Sequence, residues 1–235
     1  MIDAVRLVSR GPHTAVARLS RLNSQGPENN PDKVRYTARQ NFPLSIMDPV
    51  TSALNSFIQR SLDATESGFF TSEFDPEWTS PCEFEHTDAI SHWRPVQQNT
   101  ISTAQALDFS GLANAVEAPI HRDIQSYYSS FWSGSLQGKT DEGQISLIQL
   151  WNQEDFERLI ENLVGHLFMK NREKQPFTVF FATTEEYSEL FLSIDNATGK
   201  VLLEEPGKPT VREVESDIVT FLSRIDADPS PPVIY

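Results

Sequence analysis

The clearest hydrophobic pattern of the chain begins at Asp48-Pro49. Aspartate is a favoured helix N-cap and proline a favoured first helical residue, so this pair predicts a helix start. Apolar residues then recur at the spacing of one face of a 3.6-residue helix. They are Val50, Ala53, Leu54, Phe57, Ile58 and Leu62. The pattern predicts an amphipathic helix over residues 48–62.

The middle of the chain has a more broken pattern. Residues 66–82 are acidic and aromatic without a period, which predicts an irregular loop, and short extended segments are expected at 83–86 and 89–93. Apolar residues return at helical spacing over residues 112–131. They predict a second helix that is kinked near Pro119, because proline cannot donate the backbone hydrogen bond that a helix interior requires.

The C-terminal half has a regular alternation of strand and helix patterns. The predicted elements are a strand at 145–150, an amphipathic helix at 156–168, a β-rich strand at 177–183, a hairpin at 190–203 with its turn at 195–199, and a last helix at 211–225. This order predicts an α+β fold, a single domain in which helices pack against a mainly antiparallel sheet.

Charge divides the chain into two parts of different kind. Residues 1–46 contain seven Lys or Arg and three Asp or Glu, a net charge of +4, whereas residues 47–235 contain twelve and thirty, a net charge of −18. The first part has no sustained period, so we interpret it as a disordered basic extension upstream of a natural start at Met47. An organellar transit peptide is the alternative. The domain is expected over residues 47–228, followed by a Pro-rich tail at 229–235.

The net charge of −14 restricts the class of partner. Nucleic acids and anionic lipid headgroups attract clustered Lys and Arg, so neither is expected as a direct partner. An acidic surface attracts a partner with exposed Lys and Arg, although acidity also serves solubility alone. No run of apolar residues approaches the roughly 18 that a membrane-spanning helix needs.

Catalytic signatures are missing from the sequence. It has no P-loop, dinucleotide fingerprint, HExxH motif or G-x-S-x-G elbow. Cys82 with His86 or His92 could form a nucleophile and base, but such pairs arise easily by chance, and a lone cysteine is more often a buried packing residue. We therefore expect a protein that is not an enzyme.

Metal ligands are also sparse. His86 with Asp88, and His121 with Asp123, could each supply two ligands, but neither pair has a third and fourth ligand at a recognisable spacing. A single cysteine excludes an internal disulfide. The sequence predicts neither a metal site nor a cofactor.

Residues 47–226 resemble the Syd family along nearly their whole length. The blocks that carry the resemblance are TSPCEFEHTDAISHWRP at 79–95, residues 120–136 with their Tyr-Tyr and Phe-Trp pairs, LWNQEDFERLIENLVGHL at 150–167, and KQPFTVFFAT at 174–183, followed by the hairpin and the final helix. Several long blocks in the same order are more specific than any short motif.

The resemblance implies a function that composition does not. Syd-like proteins are single domains at the cytoplasmic face of the bacterial inner membrane, where they bind SecY, the channel subunit of the SecYEG protein translocase. They are expected to sequester uncomplexed SecY or to regulate translocation negatively. Because the family lies within the SUKH superfamily, an immunity protein that neutralises a toxin by binding is the alternative. Neither role is catalytic.

An acidic surface with aromatic anchors is the expected binding site. The cytosolic loops of SecY should be rich in Lys and Arg under the positive-inside rule, so acids would orient them and aromatic side chains would hold them. The predicted partner-binding residues are Glu83, Glu85, Asp88, Trp93, Glu117, Tyr128, Trp151, Glu154 and Asp155. For Trp93 and Trp151 a place in the core is the alternative, and Glu154 and Asp155 could instead only complement a helix dipole.

Overall fold

The computed structural model describes residues 48–101, 106–140, 143–185 and 188–228. The helices within these ranges are α1 (Pro49–Asp63), α2 (Ser110–Val116), α3 (Arg122–Tyr128), α4 (Gln153–Glu173) and α5 (Ile218–Arg224). The strands are β1 (Phe70–Glu73), β2 (Glu83–His86), β3 (Ile90–Trp93), β4 (Val96–Gln97), β5 (Phe131–Trp132), β6 (Leu136–Thr140), β7 (Gly143–Leu147), β8 (Thr178–Thr183), β9 (Phe191–Asp195), β10 (Val201–Glu204), β11 (Arg212–Glu215) and β12 (Asp226–Ala227).

The main sheet has seven strands in the order β11-β10-β9-β8-β7-β6-β12, with every neighbouring pair antiparallel. Helices cover both of its faces. On β8, Phe181 packs against Phe221 of α5, with ring centroids 5.5 Å apart, while Thr178 faces His166 of α4 across a 3.0 Å hydrogen bond. The predicted α+β class is confirmed.

Helix α1 forms as its sequence predicts. The Asp48 side chain accepts a hydrogen bond from the Val50 N–H at 3.0 Å, which satisfies one of the unpaired donors at the helix start. The apolar face packs beside α5, where Arg60 donates to the carbonyl oxygens of Leu222 and Ile225, both at 3.2 Å. The predicted boundaries of 48–62 are therefore confirmed to within a residue.

A second, smaller sheet has the strand order β1-β3-β2. The extended segments predicted at 83–86 and 89–93 form β2 and β3. The irregular loop predicted over 66–82 is partly wrong, because it contains strand β1 with the sequence Phe-Thr-Ser-Glu. The pairing partner, rather than a hydrophobic alternation, determines this strand: Phe70 lies opposite Trp93, and Glu73 lies opposite Ile90.

The helix predicted over 112–131 is two helices and a strand. Helix α2 ends where Glu117 takes the left-handed conformation, with φ of 57°, and α3 begins after Pro119 with the His121 side chain accepting from the Asp123 N–H at 3.2 Å. Phe131 belongs to β5. The interruption at the proline is confirmed, but it separates two short helices instead of bending one.

Three further differences from the predictions lie in the C-terminal half. The helix predicted over 211–225 begins only after Asp217, whose side chain accepts from the Thr220 N–H, because the preceding residues pair with β10 as strand β11. Strand β6, with the sequence Leu-Gln-Gly-Lys-Thr, was not predicted. Helix α4 extends the predicted 156–168 to residues 153–173, and its Phe168 is 69% exposed, not part of the buried face.

Candidate functional site

The small sheet turns one face towards the rest of the domain. Trp93 is 6% exposed and packs against Phe70, with ring centroids 4.7 Å apart, and edge-on against Trp151, at 5.6 Å. Ser91, two residues before Trp93 on β3, is fully buried. This inner face fixes the small sheet to the loop that precedes α4.

The opposite face of the small sheet is exposed and carries two apolar side chains. Phe84 and Ile90 are 53% and 47% exposed. Phe84 lies between the Phe69 ring, at 5.8 Å, and the guanidinium of Arg94, at 5.3 Å. Ile90 lies opposite Glu73 in the register of β1 and β3. Two exposed large apolar side chains on one small sheet make this face a candidate interaction surface.

The exposed face is strongly acidic. Residues 66–93 contain no Lys or Arg and seven acids, namely Glu66, Glu73, Asp75, Glu77, Glu83, Glu85 and Asp88. Glu85 lies opposite His92 in the sheet, with its carboxylate 3.5 Å from the imidazole, and Asp88 lies in the exposed turn between β2 and β3. We call the surface formed by Glu73, Phe84, Glu85, Asp88 and Ile90 the acidic face.

The loop between β1 and β2 is fastened to the start of α4. The Trp151 indole N–H donates to the Trp78 carbonyl oxygen at 2.8 Å, and the Asn152 side chain donates to the Thr79 carbonyl oxygen at 3.0 Å. The Arg158 guanidinium lies 4.0 Å from the centre of the Trp78 ring. These contacts hold the acidic face in a fixed position beside the N-terminus of α4.

Five of the six predicted acids lie on the small sheet or in the first turn of α4. Glu85 and Asp88 belong to the acidic face, and Glu83 is adjacent, accepting from the Ser80 N–H at 2.6 Å. Glu154 is exposed in the first turn of α4. Asp155 accepts from the Trp151 N–H at 2.9 Å, so it orders the start of α4.

The other predicted residues lie elsewhere. Trp93 and Tyr128 are 6% and 1% exposed, and their burial leaves them out of reach of a partner. The Tyr128 hydroxyl donates to the Phe180 carbonyl oxygen at 2.6 Å, and burial raises its pKa above the ordinary value. Trp151 is half-buried against Trp93, and Glu117 is exposed at the end of α2.

Sequence reasoning missed Phe84, Ile90 and Glu73. Phe84 is flanked by Glu83 and Glu85, and an aromatic residue between two acids in a short strand is a weak signal of an exposed anchor. Ile90 carries no such signal, because its exposure depends on which face of β3 meets the core.

Cys82 has an environment that suppresses thiol reactivity. It is 3% exposed, and burial raises its pKa to about 12, although the Ser80 hydroxyl donates a hydrogen bond to the sulfur at 3.0 Å. The thiolate is the nucleophilic form of cysteine, so this sulfur is a poor nucleophile at neutral pH.

The described part of the chain has neither a metal-binding cluster nor a membrane-spanning helix. No group of three or more His, Cys, Asp or Glu side chains in residues 48–101, 106–140, 143–185 and 188–228 is arranged to hold a metal ion. Within the same residues, no helix has the length and apolar character needed to cross a membrane.

Comparison with known proteins identifies one family. The family model described as Syd protein (SUKH-2) matches residues 51–227. The Protein Syd of Pseudoalteromonas atlantica is 38% identical over 158 residues, which cover 66% of this chain and 82% of the relative. That of Colwellia psychrerythraea is 36% identical over 160 residues, covering 66% and 80%. That of Alteromonas mediterranea is 31% identical over 179 residues, covering 75% and 95%. The match includes both sheets and the helices that cover them, so the chain belongs to the Syd family.

Proposed function

We propose that this protein binds the SecY subunit of the SecYEG translocase through the acidic face. It would act as a peripheral protein at the cytoplasmic side of the bacterial inner membrane, sequestering uncomplexed SecY or regulating translocation negatively. The observation that carries the proposal is an exposed pair of apolar side chains, Phe84 and Ile90, within a segment of seven acids and no Lys or Arg.

Electrostatic attraction supports this choice of partner. The cytosolic loops of a membrane channel are enriched in Lys and Arg. A surface on which three acids outweigh the guanidinium of Arg94 beside Phe84 is negative overall, which raises the rate of encounter with such loops and disfavours acidic competitors. Glu73 and Asp88 are exposed and can reorient towards an approaching guanidinium or ammonium group, whereas the exposed Glu85 carboxylate also lies 3.5 Å from the His92 imidazole.

The apolar residues provide the short-range part of binding. Phe84 and Ile90 are already ordered by the sheet, so their burial under a partner costs little additional conformational entropy. An aromatic side chain that becomes buried inside a polar rim is the usual arrangement of an energetic hot spot. The proposed action is binding alone, without a chemical step.

Retention of detergent-solubilised SecYEG by the immobilised full chain tests the proposal. Retention should fall steeply as salt is raised, because screening weakens attraction between exposed charges. Glu85→Lys with Asp88→Lys should reduce retention at low salt by at least about tenfold. The matched control is Glu189→Lys with Asp226→Lys, the same change in charge at exposed positions before β9 and on β12, and it should retain most of the binding.

The contribution of the apolar side chains Phe84 and Ile90 needs a separate variant. Phe84→Ser with Ile90→Ser should weaken retention at both low and high salt, because the apolar contribution is not screened. Equal retention of SecYEG by all variants, or none by the folded wild-type chain at low salt, would contradict the proposal. The second result would favour the immunity-type alternative, in which the acidic face binds a basic toxin domain.

A further inference from the structure

Helix α4 carries an exposed aromatic side chain that is not part of the core formed by the described residues. Phe168 is 69% exposed, more than any other large hydrophobic residue in the described part of the chain. It lies in the C-terminal half of the helix, away from the first turns that hold the β1–β2 loop. Exposure of one phenylalanine is common on a protein surface, so the surrounding residues decide whether it marks a contact.

The residues around Phe168 form a straight stripe. Glu161, Gly165, Phe168 and Arg172 follow at spacings of four, three and four residues, which place side chains on one face of a helix. All four are exposed. A Cβ added at Gly165 would have no atom within 4 Å, so the helix surface beside Phe168 is open. We call these four residues the α4 stripe.

The α4 stripe of one copy is complementary to the α4 stripe of a second copy that runs antiparallel to it. If a second α4 lies antiparallel with Phe168 over the partner's Gly165, the same register places Glu161 opposite the partner's Arg172, and Arg172 opposite the partner's Glu161. Val164 and Met169, both half-buried, lie on the two flanks of the α4 stripe. One two-fold axis thus pairs aromatic with glycine and acid with base, as an isologous interface requires.

We propose that two copies of this protein associate through an antiparallel α4–α4 contact centred on Phe168 and Gly165. Glycine allows the aromatic ring to approach the backbone of the facing helix, and the two Glu161–Arg172 pairs fix the register. A contact of one helix pair buries less surface than the roughly 1,200 Å² of a stable specific complex, so the dimer is reversible and forms at high protein concentration. The surface is separate from the acidic face.

Sedimentation velocity of the full chain between roughly 10 µM and 1 mM, at fixed salt, tests the dimer. The weight-average sedimentation coefficient should rise with concentration for the wild type. Phe168→Glu should remain monomeric throughout. Glu161→Arg and Arg172→Glu should each weaken association at least about fivefold, because either change places like charges opposite one another twice.

The decisive variant combines the charge reversals at Glu161 and Arg172. Glu161→Arg with Arg172→Glu recreates two opposite-charge pairs and should restore association to near the wild-type level. A wild type that stays monomeric, a Phe168→Glu chain that still dimerises, or a double reversal that does not recover would each overturn the proposal. Glu213→Arg is the matched control, an exposed acid on β11 outside α4, and should associate like the wild type.

Retention of SecYEG by the dimer variants distinguishes a failure of the proposed dimer from a failure of the proposed SecY binding. The dimer variants leave the acidic face unchanged and should retain SecYEG as the wild type does. Reduced retention by Phe168→Glu, together with a monomeric wild type, would instead assign the α4 stripe to the heterologous partner and overturn the dimer.

Discussion

At the residue scale, a buried polar cluster joins α4 to the main sheet. Lys170 and Glu204, 5% and 1% exposed, form an ion pair, and Glu204 also accepts from Thr178 at 2.7 Å and Ser193 at 2.6 Å. Burial alone would raise the pKa of Glu204, but the hydrogen bonds from Lys170, Ser193 and Thr178 outweigh it and lower the pKa. Because both carboxylate oxygens of Glu204 accept hydrogen bonds, its buried charge is tolerable.

His166 makes the stability of this cluster depend on pH. Burial, with the positive charge of Lys170, lowers its pKa from 6.5 to about 4, although Glu204 acts in the opposite direction. Below pH 6.5 the unfolded chain gains a proton on this residue and the folded chain does not, so stability is lost as the pH falls from 6.5 towards 4.

We expect His166→Gln to reduce that loss, since glutamine can keep the contact with Thr178 without titrating. Between pH 6.5 and 5 the wild type should lose about 2 kcal/mol more of its unfolding free energy than the variant. Urea unfolding at several pH values measures this difference. His86→Gln, at an exposed position, is the matched control, and equal pH profiles for the wild type and His166→Gln would contradict the expectation.

At the scale of secondary-structure elements, the sequence predicts well the helices and turns that depend on local residues. It predicts poorly the strands that depend on a pairing strand. Helices α1 and α4 and the β9–β10 hairpin have caps, turn residues and apolar periodicity of their own. Strands β6 and β11 are short and polar, and they exist because a neighbouring strand pairs with them.

The same distinction applies to the candidate site. The acids Glu85 and Asp88 could be selected from composition, but burial of Trp93 and Tyr128 and exposure of Phe84 depend on the packing of distant segments. Sequence therefore predicted the charge of the surface and not its apolar anchors.

The turn of the β9–β10 hairpin contributes directly to the link between α2 and α3. Asn196 is 9% exposed, and its side chain accepts from the His121 N–H at 2.9 Å and donates to the Pro119 carbonyl oxygen at 3.0 Å. It thereby adds two hydrogen bonds to a segment that otherwise bonds to α2 and α3. We expect Asn196→Ala to lower the unfolding free energy by about 2 kcal/mol, since both backbone groups lose their partner.

Chemical denaturation measures that loss. Asn171→Ala, an exposed asparagine near the end of α4, should change stability by less than about 0.5 kcal/mol. If Asn196→Ala lowers the unfolding free energy no more than this control does, water replaces the hydrogen bonds of the Asn196 side chain. The hairpin turn then does not stabilise the segment between α2 and α3.

At the scale of the whole molecule, the two proposed contacts use separate surfaces. The acidic face lies on the small sheet, whereas the α4 stripe lies beyond the first turns of α4, to which the small sheet's loop is bound. An assembly that pairs two copies through α4 would leave both acidic faces available. Two linked faces would then bind neighbouring basic segments with a higher apparent affinity than one.

Removal of residues 1–46 tests whether the rest of the chain folds and binds SecYEG without them. The described elements begin at the Asp48 cap of α1, and the deletion changes the net charge from −14 to −18 by removing a segment of +4. We expect the 47–235 chain to unfold with a free energy within about 0.5 kcal/mol of the full chain.

The shortened chain should also retain SecYEG at least as well as the full chain at low salt. Its retention should fall more steeply as salt is raised, because its net charge is more negative. Denaturation and the retention measurement, run side by side on the two chains, check both expectations. A shortened chain that is folded but no longer retains SecYEG would place part of the binding surface in residues 1–46 and contradict a site confined to the acidic face.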